Sequence, residues 1–138
     1  AAGAFSSVKP SDLVPELRGR FPIRVELQPL SCNDLAKILV EPENSLIRQY
    51  QALLGVEDVT LEFDGEAIRE IATLAERMNA EMENIGARRL HTMIEYLLDE
   101  ISFTAPERKG ERIVIGEAEV RSRLTPLISD SDVRRYLL

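Results

Sequence analysis

The apolar positions of this chain change period along its length, and each change marks an element. The clearest run follows Gly86. Leu90, Met93, Ile94, Leu97, Leu98 and Ile101 recur every three or four residues, as on one face of a helix. At 100° per residue, their mean direction lies about 150° from Arg88. Arg88 is thus expected to point away from the core, on a face shared with Thr92, Glu95 and Asp99. A second helix is predicted after Asp64, which would cap it, with Ile68, Ile71, Ala72, Ala75 and Met78 as its stripe. Residues 45–54 are amphipathic and Gly55 would stop them. Asn33 is placed to cap a helix running to about Val40, and a last helix is expected over about 117–124. Ser11 is a plausible cap for a short helix over 11–17, with Pro15 in its first turn and Gly19 as its stop. Strict alternation predicts strands over 23–27 and 59–63, and a short one over 112–115, with 106–110 as a loop. From Ser129 the chain is a polar hinge ending in an apolar tip, and the main boundary is expected at 28–30.

At 138 residues there is room for one domain, or one domain and part of another. Aromatics are only 5% and Trp is absent, so the core must be built from Leu, Ile, Val and Met. A net charge of −7 argues against a nucleic-acid partner, which would call for a basic face. No apolar run has membrane-spanning length and no signal peptide is visible, so a cytoplasmic protein is expected. Cys32 is the only cysteine, which rules out an intramolecular disulfide and fits a reducing compartment. The start Ala1-Ala2-Gly3-Ala4-Phe5 has no initiator Met and reads as the middle of a longer protein.

The candidate chemistry is carried by arginine. Three of the 17 basic residues are lysines (Lys9, Lys37, Lys109) and the rest are arginines. None of those lysines sits in a Gly-x-x-x-x-Gly-Lys-Ser/Thr context, so no phosphate-cradling loop is present. One Cys and one His cannot form a metal cluster, and His91 reads as a structural polar contact. Arg88, with Arg89 as a weaker candidate, puts a cation in a helix's first turn, where it is unfavourable by about 0.3–1 kcal/mol. A bound anion such as a nucleotide phosphate would remove that conflict. A solvent-exposed arginine paired with Glu83 or Thr92 is the equally weighted alternative. Arg20, between Gly19 and Phe21-Pro22, would be presented from a constrained loop and could reach a phosphate on a neighbouring subunit. Local sequence alone favours a solvated loop arginine. Tyr136-Leu137-Leu138 would dock in a partner's groove or fold back on its own domain.

Two long segments resemble a known family. Pro10-Ser11-Asp12-Leu13-Val14-Pro15-Glu16-Leu17-Arg18-Gly19-Arg20-Phe21-Pro22-Ile23-Arg24-Val25-Glu26-Leu27 is similar to the region after sensor 1 in the HslU (ClpY) AAA+ ATPases. Glu83-Asn84-Ile85-Gly86-Ala87-Arg88-Arg89-Leu90-His91-Thr92 resembles the same family, as does the ending Arg135-Tyr136-Leu137-Leu138. ClpX shares the Pro-Glu-Leu-x-Gly-Arg and Gly-Ala-Arg elements.

The resemblance implies a mainly α fold with a small β-sheet (α+β). Residues 1–29 would be the last piece of the large AAA+ subdomain, and 30–138 the small helical subdomain with a protease-docking tail. It implies that Arg20 is the arginine finger, acting in trans on the γ-phosphate of the adjacent subunit, with Glu16 at the same interface. Arg88 would be sensor 2, touching ATP in its own subunit. Arg135, Tyr136, Leu137 and Leu138 would activate an HslV-type peptidase. The implied whole is a homo-hexameric unfoldase that uses ATP with Mg2+ to feed protein substrates to that peptidase. With Walker A and Walker B expected upstream of Ala1, this stretch alone is expected neither to hydrolyse ATP nor to hold a cofactor. The alternatives are a ClpX-like unfoldase and a non-enzymatic helical adaptor.

Overall fold

The computed structural model describes Gly3 and residues 9–129. In order it contains α1 (Pro15–Arg20), α2 (Cys32–Val40), α3 (Leu46–Val56), β1 (Thr60–Phe63), α4 (Gly65–Glu81), α5 (Arg88–Thr104), β2 (Arg112–Ile115) and α6 (Glu117–Ser129). Short 3-10 turns at Pro10–Asp12 and Ala105–Glu107 complete the list. The fold is thus mostly helical with one small sheet, as the sequence leads one to expect.

β1 and β2 pair in parallel, Thr60 opposite Arg112 and Phe63 opposite Ile115, with α4 and α5 forming the crossover between them. Leu61, Ile113 and Ile115 turn inward, while Thr60, Arg112 and Val114 are exposed. On the outer face Arg112 grips Glu62 through both ends of its guanidinium, at 3.0 and 2.7 Å. The α4 helix lies at the centre, packed on α2, α5 and α6. The α5 stripe closes the core: Leu90, Met93, Ile94, Leu97, Leu98 and Ile101 are each at most 2% exposed. Full burial of one such side chain is worth about 1.5–3 kcal/mol. Arg121 reaches from α6 to Glu70 of α4, and Arg123 to Glu100 of α5.

Several predicted boundaries move. Ser31, not Asn33, caps α2: its hydroxyl accepts the Asp34 N–H, while the Asp34 carboxylate takes the Ser31 N–H at 3.0 Å. This reciprocal box satisfies two donors at once, which Asn33 could not do two residues later. Gly55 lies within the last turn of α3, and the chain turns instead at Asp58, whose φ is +60°. α6 runs through Pro126 to Ser129, beyond the expected end at Leu124. Ser11 falls in the 3-10 turn and Pro15 is the first residue of α1, with Gly19 inside the helix.

The strand expected over 23–27 does not form. Ile23, Val25 and Leu27 are 85%, 79% and 84% exposed. Their alternation suits a strand, but a strand needs a neighbour for its N–H and C=O groups. Among the described residues, β1 and β2 pair only with each other. All of residues 9–29 are solvent-exposed, and the core begins after Leu30.

Candidate functional site

The site is built at the junction of α4 and α5. Gly86 holds a left-handed backbone with φ of +60°, which glycine adopts without penalty. From there the chain enters α5 through tight turns: Arg88 N–H donates to the Ile85 carbonyl and Arg89 N–H to the Gly86 carbonyl, both at 3.3 Å. Ala87 occupies the N-cap position and has no side chain able to cap. The first turn of α5 carries no acidic residue, and its N–H groups are taken up by the carbonyls of residues 85–87, Leu90 N–H donating to Ala87 at 3.0 Å.

Two adjacent arginines meet opposite fates there. Arg88 is exposed and leaves the helix away from the core, as the periodicity predicts. Among the described residues it has neither an ion-pair partner nor a side-chain hydrogen bond. Arg89 is 1% exposed. Its Nε donates to Asn79 Oδ1 at 3.2 Å and one terminal nitrogen donates to the Glu83 carbonyl, while Nη1 is buried without a partner. Burial pushes its pKa below the ordinary arginine value, and Glu83 partly offsets this. Arg89 is thus an internal strut rather than a second anion reader. One helical step of 100° brings it to the flank of the apolar stripe, and its bonds to Asn79 and the Glu83 carbonyl hold it under the α4–α5 connection.

Beside this helix start lies a groove of about 140 Å³. Ile38 and Leu39 of α2, Leu46 of α3, and Ala87 and Leu90 at the start of α5 give it apolar walls, while Asn44, Gln49 and His91 supply polar groups. His91 is exposed at this groove and makes no side-chain hydrogen bond among the described residues, so the structural polar contact expected of it is absent.

Glu16 and Arg20 both belong to α1, Glu16 in its first turn and Arg20 as its last residue. Four residues apart, they share one helix face. Arg20 is therefore presented by a helix end rather than by the constrained loop expected around Gly19. Both are exposed, and α1 lacks extensive packing against α5, so Arg20 and Arg88 are not brought into one site within this chain. Arg135, Tyr136, Leu137 and Leu138 lie outside the described residues. No cluster of three or more His, Cys, Asp or Glu suited to a metal ion occurs among the described residues. No described helix is long and apolar enough to cross a membrane.

No family model matches the chain. Similar proteins are found at high identity. The "ATP-dependent protease ATPase subunit HslU" of Persephonella marina is 55% identical over all 138 residues, which cover 31% of that protein. The protein of the same name from Magnetococcus marinus is 56% identical over the same span, covering 30% of it. That of Myxococcus xanthus is 55% identical, again covering 30%. The chain thus spans under a third of the length of these curated relatives, in their C-terminal part.

Proposed function

The chain belongs to the HslU family, and from that premise we propose that it is the nucleotide-sensing and partner-docking end of an ATP-driven protein unfoldase. The observation that carries the proposal is Arg88, a solvent-exposed cation at the first residue of α5, with no protein counter-charge among the described residues. A cation that worsens its own helix start is well placed to meet an anion there. A guanidinium offers a fork of donors to phosphate oxygens.

The residues present suit one side of a nucleotide. The groove's apolar walls could take an edge of a base, and the dipole at the start of α5 favours negative charge. Its volume is well below the roughly 300–1,000 Å³ of sites that enclose a ligand. In this reading the chain therefore forms one wall, and the large AAA+ subdomain forms the other. Magnesium accompanying ATP would take its protein ligands outside the described residues.

The exposed apolar side chains of residues 9–29, including Leu13, Val14, Leu17, Phe21, Ile23, Val25 and Leu27, support assigning 1–29 to that large subdomain. A strand pattern at 23–27 with no pairing partner among the described residues fits a segment whose sheet is supplied by the rest of the large subdomain. Residues 30–138 would form the small subdomain. In a homo-hexamer, Arg20 would reach the γ-phosphate held by the adjacent subunit, with Glu16 at the same seam. This places positive charge where it builds up during phosphoryl transfer. Arg135, Tyr136, Leu137 and Leu138 would dock on an HslV-type peptidase in the cytoplasm, and unfolded protein would be the substrate handed over. The HslU name shared by the relatives favours this partner over a ClpX-type one.

The test uses the complete protein. Arg88→Ala should weaken ATP binding about tenfold. Arg20→Ala should leave binding intact and lower hydrolysis about 100-fold or more. An unchanged ATPase rate in Arg20→Ala would refute the trans role.

A further inference from the structure

Just before Arg88, two buried side chains grip the connection that leads into α5. Position 79 shares the inner face of α4 with Ala72, Ala75 and Met78, yet it is asparagine, 8% exposed. Its side-chain amide works in both directions. Nδ2 donates to the Gly86 carbonyl at 3.1 Å, and Oδ1 accepts from the Ile85 N–H at 3.3 Å and from Arg89 Nε. Arg89 adds its bond to the Glu83 carbonyl. The connection between α4 and α5 is thereby gripped at residues 83, 85 and 86 by one side chain from each flanking helix.

Apolar packing would close this junction more cheaply. A buried guanidinium is costly to desolvate, and Arg89 also leaves Nη1 unpaired. What the polar pair provides is direction. Hydrogen bonds select one geometry, whereas apolar contacts tolerate several. The carbonyls of Ile85 and Gly86, which receive the first N–H groups of α5, belong to two of the residues gripped by Asn79. Through them the left-handed turn at Gly86 and the angle of α5's first turn are set.

We propose that Asn79 and Arg89 are positioning residues, a buried clamp that fixes the direction in which Arg88 leaves α5 toward a nucleotide phosphate. The proposal rests on the nucleotide-sensing reading of Arg88. It predicts that the clamp acts through Arg88 and through no other contact with the nucleotide.

The experiment is a double-mutant cycle in the complete protein, reading ATP dissociation constants by titration alongside thermal melting. Asn79→Ala should weaken ATP about tenfold, close to the effect of Arg88→Ala. In the Arg88→Ala background, Asn79→Ala should change affinity less than about twofold, because the residue it serves is already gone. Asn79→Asp covers the case in which the alanine variant fails to fold. It keeps the acceptor for Ile85 and Arg89 and gives Arg89 a counter-charge, but loses the donor to Gly86. It should still melt cooperatively as a folded protein and bind ATP about threefold more weakly.

Independent, multiplicative losses in the double variant would overturn the clamp and leave a merely structural pair. Parent-like ATP binding by a folded Asn79→Asp would also overturn it. If Arg88→Ala alone binds ATP as the parent does, the sensing reading falls and the clamp falls with it, an outcome distinct from the other two.

Discussion

Removing Arg88 should stabilise the chain. This residue opens α5 where backbone dipoles sum to roughly half a positive charge. It is exposed, Ala87 supplies no cap, and among the described residues no carboxylate pairs with it. Taking the cation away relieves about 0.3–1 kcal/mol. Alanine adds a little through its higher helix propensity. The bond from its N–H to the Ile85 carbonyl is retained, since it belongs to the backbone. Arg88→Glu reverses the charge and should gain about twice as much, roughly 0.6–2 kcal/mol. The assay is urea unfolding of this chain followed by circular dichroism, in low salt and in about 1 M NaCl, where the screening length drops to about 3 Å. The midpoint should rise for both variants at low salt, more for Glu, and the gap should narrow at high salt. A loss of more than about 0.5 kcal/mol in Arg88→Ala would refute the reasoning. It would show that Arg88 makes a native contact, and that its place at the helix start signals packing rather than a ligand.

Leu97→Ala, at a position with no exposed surface, should cost about 2–5 kcal/mol in the same unfolding assay, whereas Leu97→Met should cost less than about 1.5. The carboxyls of Asp34 and Glu62 are both held below their ordinary pKa values, the first by hydrogen bonds from the Ser31 side chain and backbone, the second by Arg112. Groups depressed on folding contribute stability that is fully present above their unfolded pKa, about 4, and is lost as pH falls through the lower folded value. A melting series from pH 7 to pH 3 should show this loss, and Ser31→Ala with Arg112→Met should flatten it. A peptide of residues 129–138 should stimulate an HslV-type peptidase on a small fluorogenic substrate. Removing Leu137 and Leu138 should abolish the stimulation, and no stimulation by the intact peptide would count against tail docking.

The helical core was legible because its signals are local and redundant. Six apolar residues at helical spacing in α5 admit one inward face, and all six are buried. The β1 and β2 runs were read within a residue or two for the same reason. Caps were read less well because neighbouring residues compete. Asn33 and Ser31 both qualify by type, and only the reciprocal bond with Asp34 decides between them. The 23–27 segment shows the opposite failure. Its pattern was read correctly, but a strand is a property of a sheet, and the required partner strand is absent from the described residues. At the site, Arg88's outward direction followed from periodicity alone. Asn79 escaped notice, although its place on the α4 stripe, four residues after Ala75, was the available signal. The burial of Arg89 was not legible from periodicity, which puts it on the flank of the stripe; its bonds to Asn79 and to the Glu83 carbonyl draw it in.

The parallel pairing of β1 with β2 also bears on how the chain comes to fold. Glu62 and Arg112, which bridge the two strands, are 50 residues apart in sequence. Closing so long a loop costs chain entropy before any strand contact repays it, so the pair is expected to form late. On a ribosome making about 5–20 residues per second, several seconds would separate the appearance of β1 from that of β2. During that interval α5 would emerge with its leucine and methionine stripe lacking α6 to cover it. The nascent chain would thus pass through a stage in which part of its own core stripe faces water.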